Sequence, residues 1–296
     1  MFRWVPNPPV GSPLLLRVMQ LATRSSRSPH VPRGMGYRFA QLSSGAAVHV
    51  YLPEWGADPR AAVLWIHGGG FLIGNAAQDH RRCIALARDL GVVVFSAEYR
   101  HAPANPFPAA LDDVHAVWTW ILSHTAELCV DPARLAIAGQ SAGGGLAATL
   151  VQRIHDEGGA QPVAQWLFCP MLDDRTAHNR ELDGMRHFIW DNRSNRVAWG
   201  AYLGERDPDS LPYAVAARRR ELKGLPPAWI GAGDIELFFD EDRRYTEALT
   251  AAGVDTTLTI APGAPHAFES FAARTTVARA YLDEAEGWLR TRLRLG

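Results

Sequence analysis

Lysine is almost absent from this chain. Lys223 is the single one, and arginine supplies the rest of the 30 basic residues. Against 31 acidic residues the formal net charge is -1, which excludes a basic footprint for nucleic acid or for an anionic membrane surface. Cysteine is scarce as well: Cys83, Cys129 and Cys169 are odd in number and lack metal-ligand spacing. A disulfide framework is therefore not expected, each cysteine reads as a small buried hydrophobe, and a reducing cytoplasm is the expected compartment. No apolar run approaches the roughly 18 residues that a membrane helix needs. The segment nearest to a leader, "PLLLRVMQLA" (13–22), is interrupted by Arg17 and followed by no small-x-small site, so it reads as a short amphipathic helix. Repeats and low-complexity segments are also missing.

What is present is enough chain for one large α/β domain or two small ones: 296 residues, 47% apolar and 21% charged. Prolines crowd the first 35 residues, which suits an arm or lid better than a core layer. From about residue 37 the pattern is regular. "YRFAQL" and "AAVHVYLP" read as a hairpin. "AAVLWIH" and "GVVVFSAEY" are short β-branched apolar runs of strands buried on both faces. A helix between them closes at Gly91. A second helix over 109–127 carries the stripe Leu111, Val114, Trp118, Ile121 and Leu122. Strands "RLAIAGQ", "VAQWLFCP", "PAWIGAG" and "DTTLTIAP" then alternate with helices. The last helix, over 275–294, places Ala278, Tyr281, Leu282, Ala285, Trp288 and Leu289 on one face. Such alternation specifies a mostly parallel sheet with helices on both faces.

Residues 172–222 break the alternation. They hold Phe188, Trp190, Trp199, Tyr202 and Tyr213 among many charges and contain no strand-like run. An inserted helical cap is expected there. With the arm of residues 1–36 it would roof the C-terminal edge of a catalytic domain made of 37–171 and 223–296, the edge where open α/β sheets bind ligands. The cap aromatics read first as helix core and second as an acyl pocket.

Gly139-Gln140-Ser141-Ala142-Gly143 is G-x-S-x-G between an expected strand and an expected helix. The chemistry needs a sharp turn that lifts the serine hydroxyl above the sheet edge, and the flanking glycines let strand and helix approach. A helix N-terminus behind Ser141 brings free N–H groups and a positive dipole end. "HGGGF" (67–71) follows the strand "AAVLWI" with three glycines where a turn needs one or two. Serine attack on an ester builds a negative oxygen that needs pre-placed donors, and bare backbone supplies them. Gly69 and Gly70 are the expected donors together with the Ala142 N–H, and Gly68 is an alternative to one of the glycines. Each such donor is worth roughly 3 kcal/mol in the transition state. His67 is expected to hold the loop by hydrogen bonding.

Together "HGGGF", "YRHAPANPFPAAL" (99–111), "GQSAGG" (139–144), "LDDR" (172–175), "GLPP" (224–227) and "PGAPHAF" (262–268) resemble the hormone-sensitive lipase family, the bacterial family IV carboxylesterases. The resemblance runs from about residue 40 to the end. It implies the α/β-hydrolase fold, an eight-stranded, mostly parallel sheet flanked by helices under a helical cap. It implies hydrolysis of short- to medium-chain carboxylic esters, with no organic cofactor and no metal. One position departs from it: the family usually has an acidic residue before the nucleophile, and here Gln140 stands there.

The expected mechanism needs a histidine base and a carboxylate to orient it, in the chain order Ser, Asp or Glu, His. His266 in "PGAPHAF" matches the family motif. For the acid, the family places it four residues before an Asp-Glu pair, and counting back from Asp240 and Glu241 gives Glu236. Register is weighted over type, so Glu236 is the expected acid ahead of Asp234, which is nearer the strand and the more usual residue type. Asp173, Asp174 and Arg175 read as a structural ion-pair cluster, and His101 and His115 as surface or satisfied core residues. The leading expectation is a serine carboxylesterase acting on a small-molecule ester. An amidase or arylamide hydrolase with the same triad, and a non-catalytic small-molecule binder, are the alternatives. A lipase for long chains ranks low because no exposed apolar segment for interfacial binding is evident. Homodimerisation through an edge strand is left open.

Overall fold

The computed structural model describes residues 7–23, 29–55 and 59–295. Part of the expected arm, residues 1–6 and 24–28, lies outside the described residues.

The alternating pattern becomes one eight-stranded sheet. Its strands are β1 (Gly36–Gln41), β2 (Ala47–Leu52), β3 (Arg60–Ile66), β4 (Val93–Glu98), β5 (Val130–Gln140), β6 (Gln165–Phe168), β7 (Ala228–Gly233) and β8 (Thr256–Ala261). They lie in the order β1-β2-β4-β3-β5-β6-β7-β8. The hairpin pairing β1–β2 and the pairing β2–β4 are antiparallel, and all the others are parallel.

Successive residues of a strand point to opposite faces, so a strand buried on both sides must be apolar throughout. Trp65, Trp166, Phe168 and Trp229 pack on one face with α2 (His80–Leu90) and α9 (Thr276–Arg292). Leu64, Ile66, Ile137, Leu167 and Ile230 pack on the other with α3 (Ala109–Ser123), α4 (Ala142–Glu157) and α7 (Phe239–Ala251). Full burial of each large apolar side chain contributes about 1.5–3 kcal/mol. The helix faces are those the sequence periodicity marks: Leu111, Val114, Trp118 and Ile121 are buried on α3, and Ala278, Tyr281, Ala285 and Leu289 on α9. Gly91 ends α2 in the left-handed region at φ 65°, where its N–H bonds the Ala87 carbonyl. The helix of 109–127 stops at Ser123.

Between β6 and β7 no strand forms among residues 169–227. That stretch contains α5 (Arg175–His178), α6 (Asn192–Leu203) and three short 3-10 turns. Asp191 caps α6 by accepting the Ser194 N–H at 2.8 Å. The stretch is tied down by the Arg218–Asp174 pair at 2.7 Å, by Gln152 donating to the Ala216 carbonyl at 3.0 Å, and by Tyr202 stacked on Phe71 with centroids 4.1 Å apart. The N-terminal segment meets the same region. Asn7 donates to Asp191 at 2.8 Å, and Gln20 on α1 (Pro13–Thr23) donates to the carbonyls of Leu72 and Ala102.

Two expectations need correction. Cys129 is not a small buried hydrophobe: it is exposed, at a positive φ of 51° in the turn before β5, while Cys83 and Cys169 are buried. The second concerns exposed apolar surface. On α1 only Leu16 is buried, and Leu14, Leu15, Val18 and Leu21 are exposed. An exposed apolar helix face therefore exists where none was expected, because helical periodicity shows that a helix has an apolar side but not whether anything covers it.

Candidate active site

Strand register fixes the first contact. β3 and β5 are adjacent and parallel, with Ile66 opposite Gly139, so the glycine loop and the serine turn leave the same sheet edge side by side. Ser141 sits at φ 56°, ψ -123°, a strained conformation for a residue with a side chain. The flanking glycines make the turn possible. A Cβ on Gly139 would strike the Gly143 carbonyl, and a Cβ on Gly143 would strike the carbonyls of Ile66 and His67. The Ser141 N–H donates to the Phe168 carbonyl at 2.8 Å, and the Ser141 carbonyl accepts from Met171 at 2.9 Å and Gly145 at 3.0 Å. Ala142 then opens α4, buried at the helix N-terminus.

The glycine loop is held by its own residues. His67 is buried, with Nδ1 2.8 Å from the Gly68 carbonyl, and it stacks on Tyr99 with centroids 4.3 Å apart. The Tyr99 hydroxyl donates to the His67 carbonyl at 2.9 Å. A Cβ on Gly68 would lie 3.2 Å from the Ser141 Cβ, so this loop abuts the nucleophile turn. Gly69 at φ 132° and Gly70 at φ 61° hold conformations that favour glycine. A Cβ on Gly69 would meet the Ile73 carbonyl, and one on Gly70 the indole of Trp190.

The expected acid and base come from the next strand ends. Glu236 follows β7 and His266 follows β8. His266 Nε2 stands 2.9 Å from Ser141 Oγ, and His266 Nδ1 stands 2.5 Å from Glu236 Oε2. The other Glu236 oxygen accepts the Gly233 N–H at 3.0 Å, which fixes the carboxylate. All three side chains are buried, at 7%, 4% and 3% exposure for Ser141, Glu236 and His266. Asp234 is not part of this chain of contacts. It is exposed, and its Oδ1 accepts the Gly263 N–H at 2.6 Å, closing the loop that leads to His266. Ser141, Glu236 and His266 are thus brought together, with Gly69, Gly70 and Ala142 in the two segments that flank the serine.

A cavity of about 320 Å³ opens onto Ser141 and His266. Pro8, Pro9, Ile73, Ile189 and Trp190 supply its apolar walls.

A family model described as the alpha/beta hydrolase fold matches residues 63–270. The chain belongs to the α/β-hydrolases of the hormone-sensitive lipase class. Among relatives of this hydrolase, carboxylesterase NlhH of Mycobacterium tuberculosis is 36% identical over 230 residues, covering 76% of this chain and 72% of its own. An acetyl-hydrolase of Streptomyces hygroscopicus is 30% identical, covering 94% of this chain and 95% of its own. Among solved structures, a bacterial heroin esterase superposes with a TM-score of 0.88 at 33% identity, covering 98% and 95% of the two chains.

In this hydrolase Gln140 solves a problem that the sequence leaves open. Its amide Nε2 donates to Glu269 Oε1 at 2.6 Å and to Ser270 Oγ at 2.7 Å. Glu269 is buried, and burial raises its carboxyl above the usual range, opposed by the Gln140 bond. Glu269 lies on α8 (Phe268–Phe271), the short helix just after His266. Sequence reasoning missed Glu269 because nothing local links residues 129 apart. It also missed the wall formed by Pro8, Pro9 and Ile189. Of the expected cap aromatics, Trp190 reaches the cavity, Trp199 and Tyr202 pack with Phe71, and Tyr213 donates to Asp156 at 2.8 Å. Asp173 pairs with Arg175 at 2.7 Å, as expected for a structural cluster, and His115 pairs with Glu157 at 2.6 Å.

Proposed function

We propose that this carboxylic ester hydrolase works through an acyl-enzyme at Ser141, on small esters with short to medium acyl chains. The observation that carries the reading is the continuous line of contacts Glu236–His266–Ser141 at 2.5 and 2.9 Å, beside a loop of bare main chain. Ser141 Oγ attacks the ester carbonyl while His266 Nε2 takes its proton, and Glu236 holds the ring with Nδ1–H toward the carboxylate. The carbonyl oxygen becomes an oxyanion that accepts from the N–H groups of Gly69, Gly70 and Ala142. Collapse expels the alcohol, which receives the proton from His266. Water then attacks the acyl-serine by the same route and releases the acid.

The short-acyl preference is supported by the modest cavity and by the relative named an acetyl-hydrolase. We take residues 172–222, with the N-terminal segment, as a cap over the site, since Asn7, Ile189 and Trp190 meet above Ser141. The three free thiols support a reducing compartment, the cytoplasm. Among the described residues no helix is long and apolar enough to cross a membrane. β8 is an open sheet edge, and pairing of two copies there is the form a homodimer would take.

The test is a p-nitrophenyl ester series from acetate to palmitate, run beside Ser141→Ala and beside the matching anilides. Turnover confined to the shorter esters and lost in Ser141→Ala is expected. Faster anilide than ester cleavage would favour the amidase reading.

A further inference from the structure

We propose that Cys169, Glu236 and His266 form an inhibitory site for a soft divalent cation, Zn2+ or Cd2+, which stops the hydrolase by holding His266 in the unproductive tautomer. The proposal rests on the reading of His266 as the base. The three residues follow β6, β7 and β8, three neighbouring strands, so the sheet converges them at one point. The Cys169 Sγ, a Glu236 carboxylate oxygen and a His266 ring nitrogen lie within 4.8 Å of one another, and all three residues are buried. The thiol is held in place. Its backbone N–H donates to the Gly231 carbonyl at 2.7 Å, and the residue sits at φ 38°.

Sulfur, imidazole and carboxylate together are a donor set that suits zinc or cadmium rather than magnesium or calcium. Zinc bonds of about 2.0–2.3 Å at tetrahedral angles put donor atoms roughly 3.3–3.6 Å apart. The nitrogen–oxygen separation of 2.5 Å must therefore open by under about 1 Å, and a sulfur up to 4.8 Å away must close by up to about 1.3 Å.

The inhibitory effect follows from proton placement. A carboxylate oxygen 2.5 Å from Nδ1 selects the tautomer with Nδ1–H toward Glu236, which leaves the Nε2 lone pair for Ser141 at 2.9 Å. A cation on Nδ1 takes the lone pair that the Nδ1 proton occupied. That proton moves to Nε2, and the Cys169 thiol proton leaves to solvent as the sulfur binds as thiolate. The ring remains neutral but now presents a donor to Ser141, so it cannot accept the serine proton. No electron transfer is involved, and a chelator reverses the change.

The experiment titrates chelator-treated enzyme with Zn2+ and with Cd2+ during p-nitrophenyl acetate hydrolysis, in a Cys129→Ser background that removes the exposed thiol. Each variant is scored against its own metal-free rate. Inhibition reversed by EDTA is expected, with a half-inhibitory concentration raised about tenfold or more in Cys169→Ser, which keeps the size of the side chain but replaces the soft sulfur donor. In Ser141→Ala protein, Cd2+ should produce an ultraviolet thiolate-to-cadmium absorption band that Cys169→Ser removes. Equal inhibition of both proteins, or no band, overturns the site. Absence of any ester turnover in metal-free enzyme would instead sink the triad reading, and the Cd2+ band reports on the site independently of it.

Discussion

Gln140 donates to the buried carboxyl of Glu269 across 2.6 Å, tying the residue before Ser141 to the short helix that follows His266. The bond spans the serine turn and the short helix after His266, and so ties the two together. Arg82 lies near enough to Glu269 to act on it electrostatically, and its guanidinium sits over Phe168 at 4.3 Å. Exchange of the amide for a second acid would bring two buried carboxyls together, which is costly without a shared proton. Gln140→Glu is expected to lower kcat about tenfold or more and to reduce Tm. Glu269→Gln placed on top of it should recover most of both, because the hydrogen bond then runs the other way. Steady-state kinetics and melting curves of the two singles and the double check this, and absence of rescue would assign the loss to something other than the pair.

The two candidate acids separate by the same logic. Glu236→Gln leaves the His266 ring with a neutral partner in the wrong sense, and kcat on p-nitrophenyl acetate should fall by about 10³–10⁴. Asp234→Asn, which touches only the Gly263 N–H, should stay within about threefold of the parent on the general ground that exposed sites tolerate such changes. Reversal of that order would move the role to Asp234.

These residues also show what the sequence could carry. Ser141, His266 and the glycine loop are legible because strained turns and bare backbone demand particular residue types at fixed positions. The strands are legible because burial on both faces leaves a continuous apolar run. The choice of Glu236 over Asp234 is legible only through the family register counted back from Asp240 and Glu241, because residue type and nearness to β7 favour Asp234. The Glu269 partner and the Pro8, Pro9 and Ile189 wall depend on chain segments that meet only in the fold. The apolar face of α1 is visible as a stripe, while its exposure is not.

Trp190 bounds the cavity where its indole covers Gly70. Trp190→Ala should open the wall and shift preference toward longer acyl chains. The ratio of kcat/KM for the octanoate to that for the acetate ester is expected to rise about tenfold, the scale of a few methylenes gaining apolar contact. An unchanged ratio would place the acyl chain elsewhere in the cleft.

Burial raises the Glu241 carboxyl from 4.5 to about 8, although the Leu172 and Asp173 N–H groups and Thr176 bond to it. The folded protein therefore holds this proton more tightly than the unfolded chain does. Its stabilising contribution is complete below pH 4.5 and is lost as pH rises toward about 8. Glu241→Gln keeps an acceptor oxygen and carries no titratable proton. The stability of the parent relative to this variant should fall by about 1.4 kcal/mol per pH unit through that window. Denaturant melts of both proteins at pH 5, 6, 7 and 8 measure it, and a pH-independent difference would contradict it.

The most direct measurement of the acyl-serine mechanism is peptide mapping by mass spectrometry after reaction with a phosphonate ester that mimics the tetrahedral intermediate. One adduct per chain on Ser141, formed in parallel with loss of esterase activity and absent from Ser141→Ala, is the expected result. Full activity with Ser141 unlabelled, or inactivation with the adduct on another residue, would contradict the mechanism.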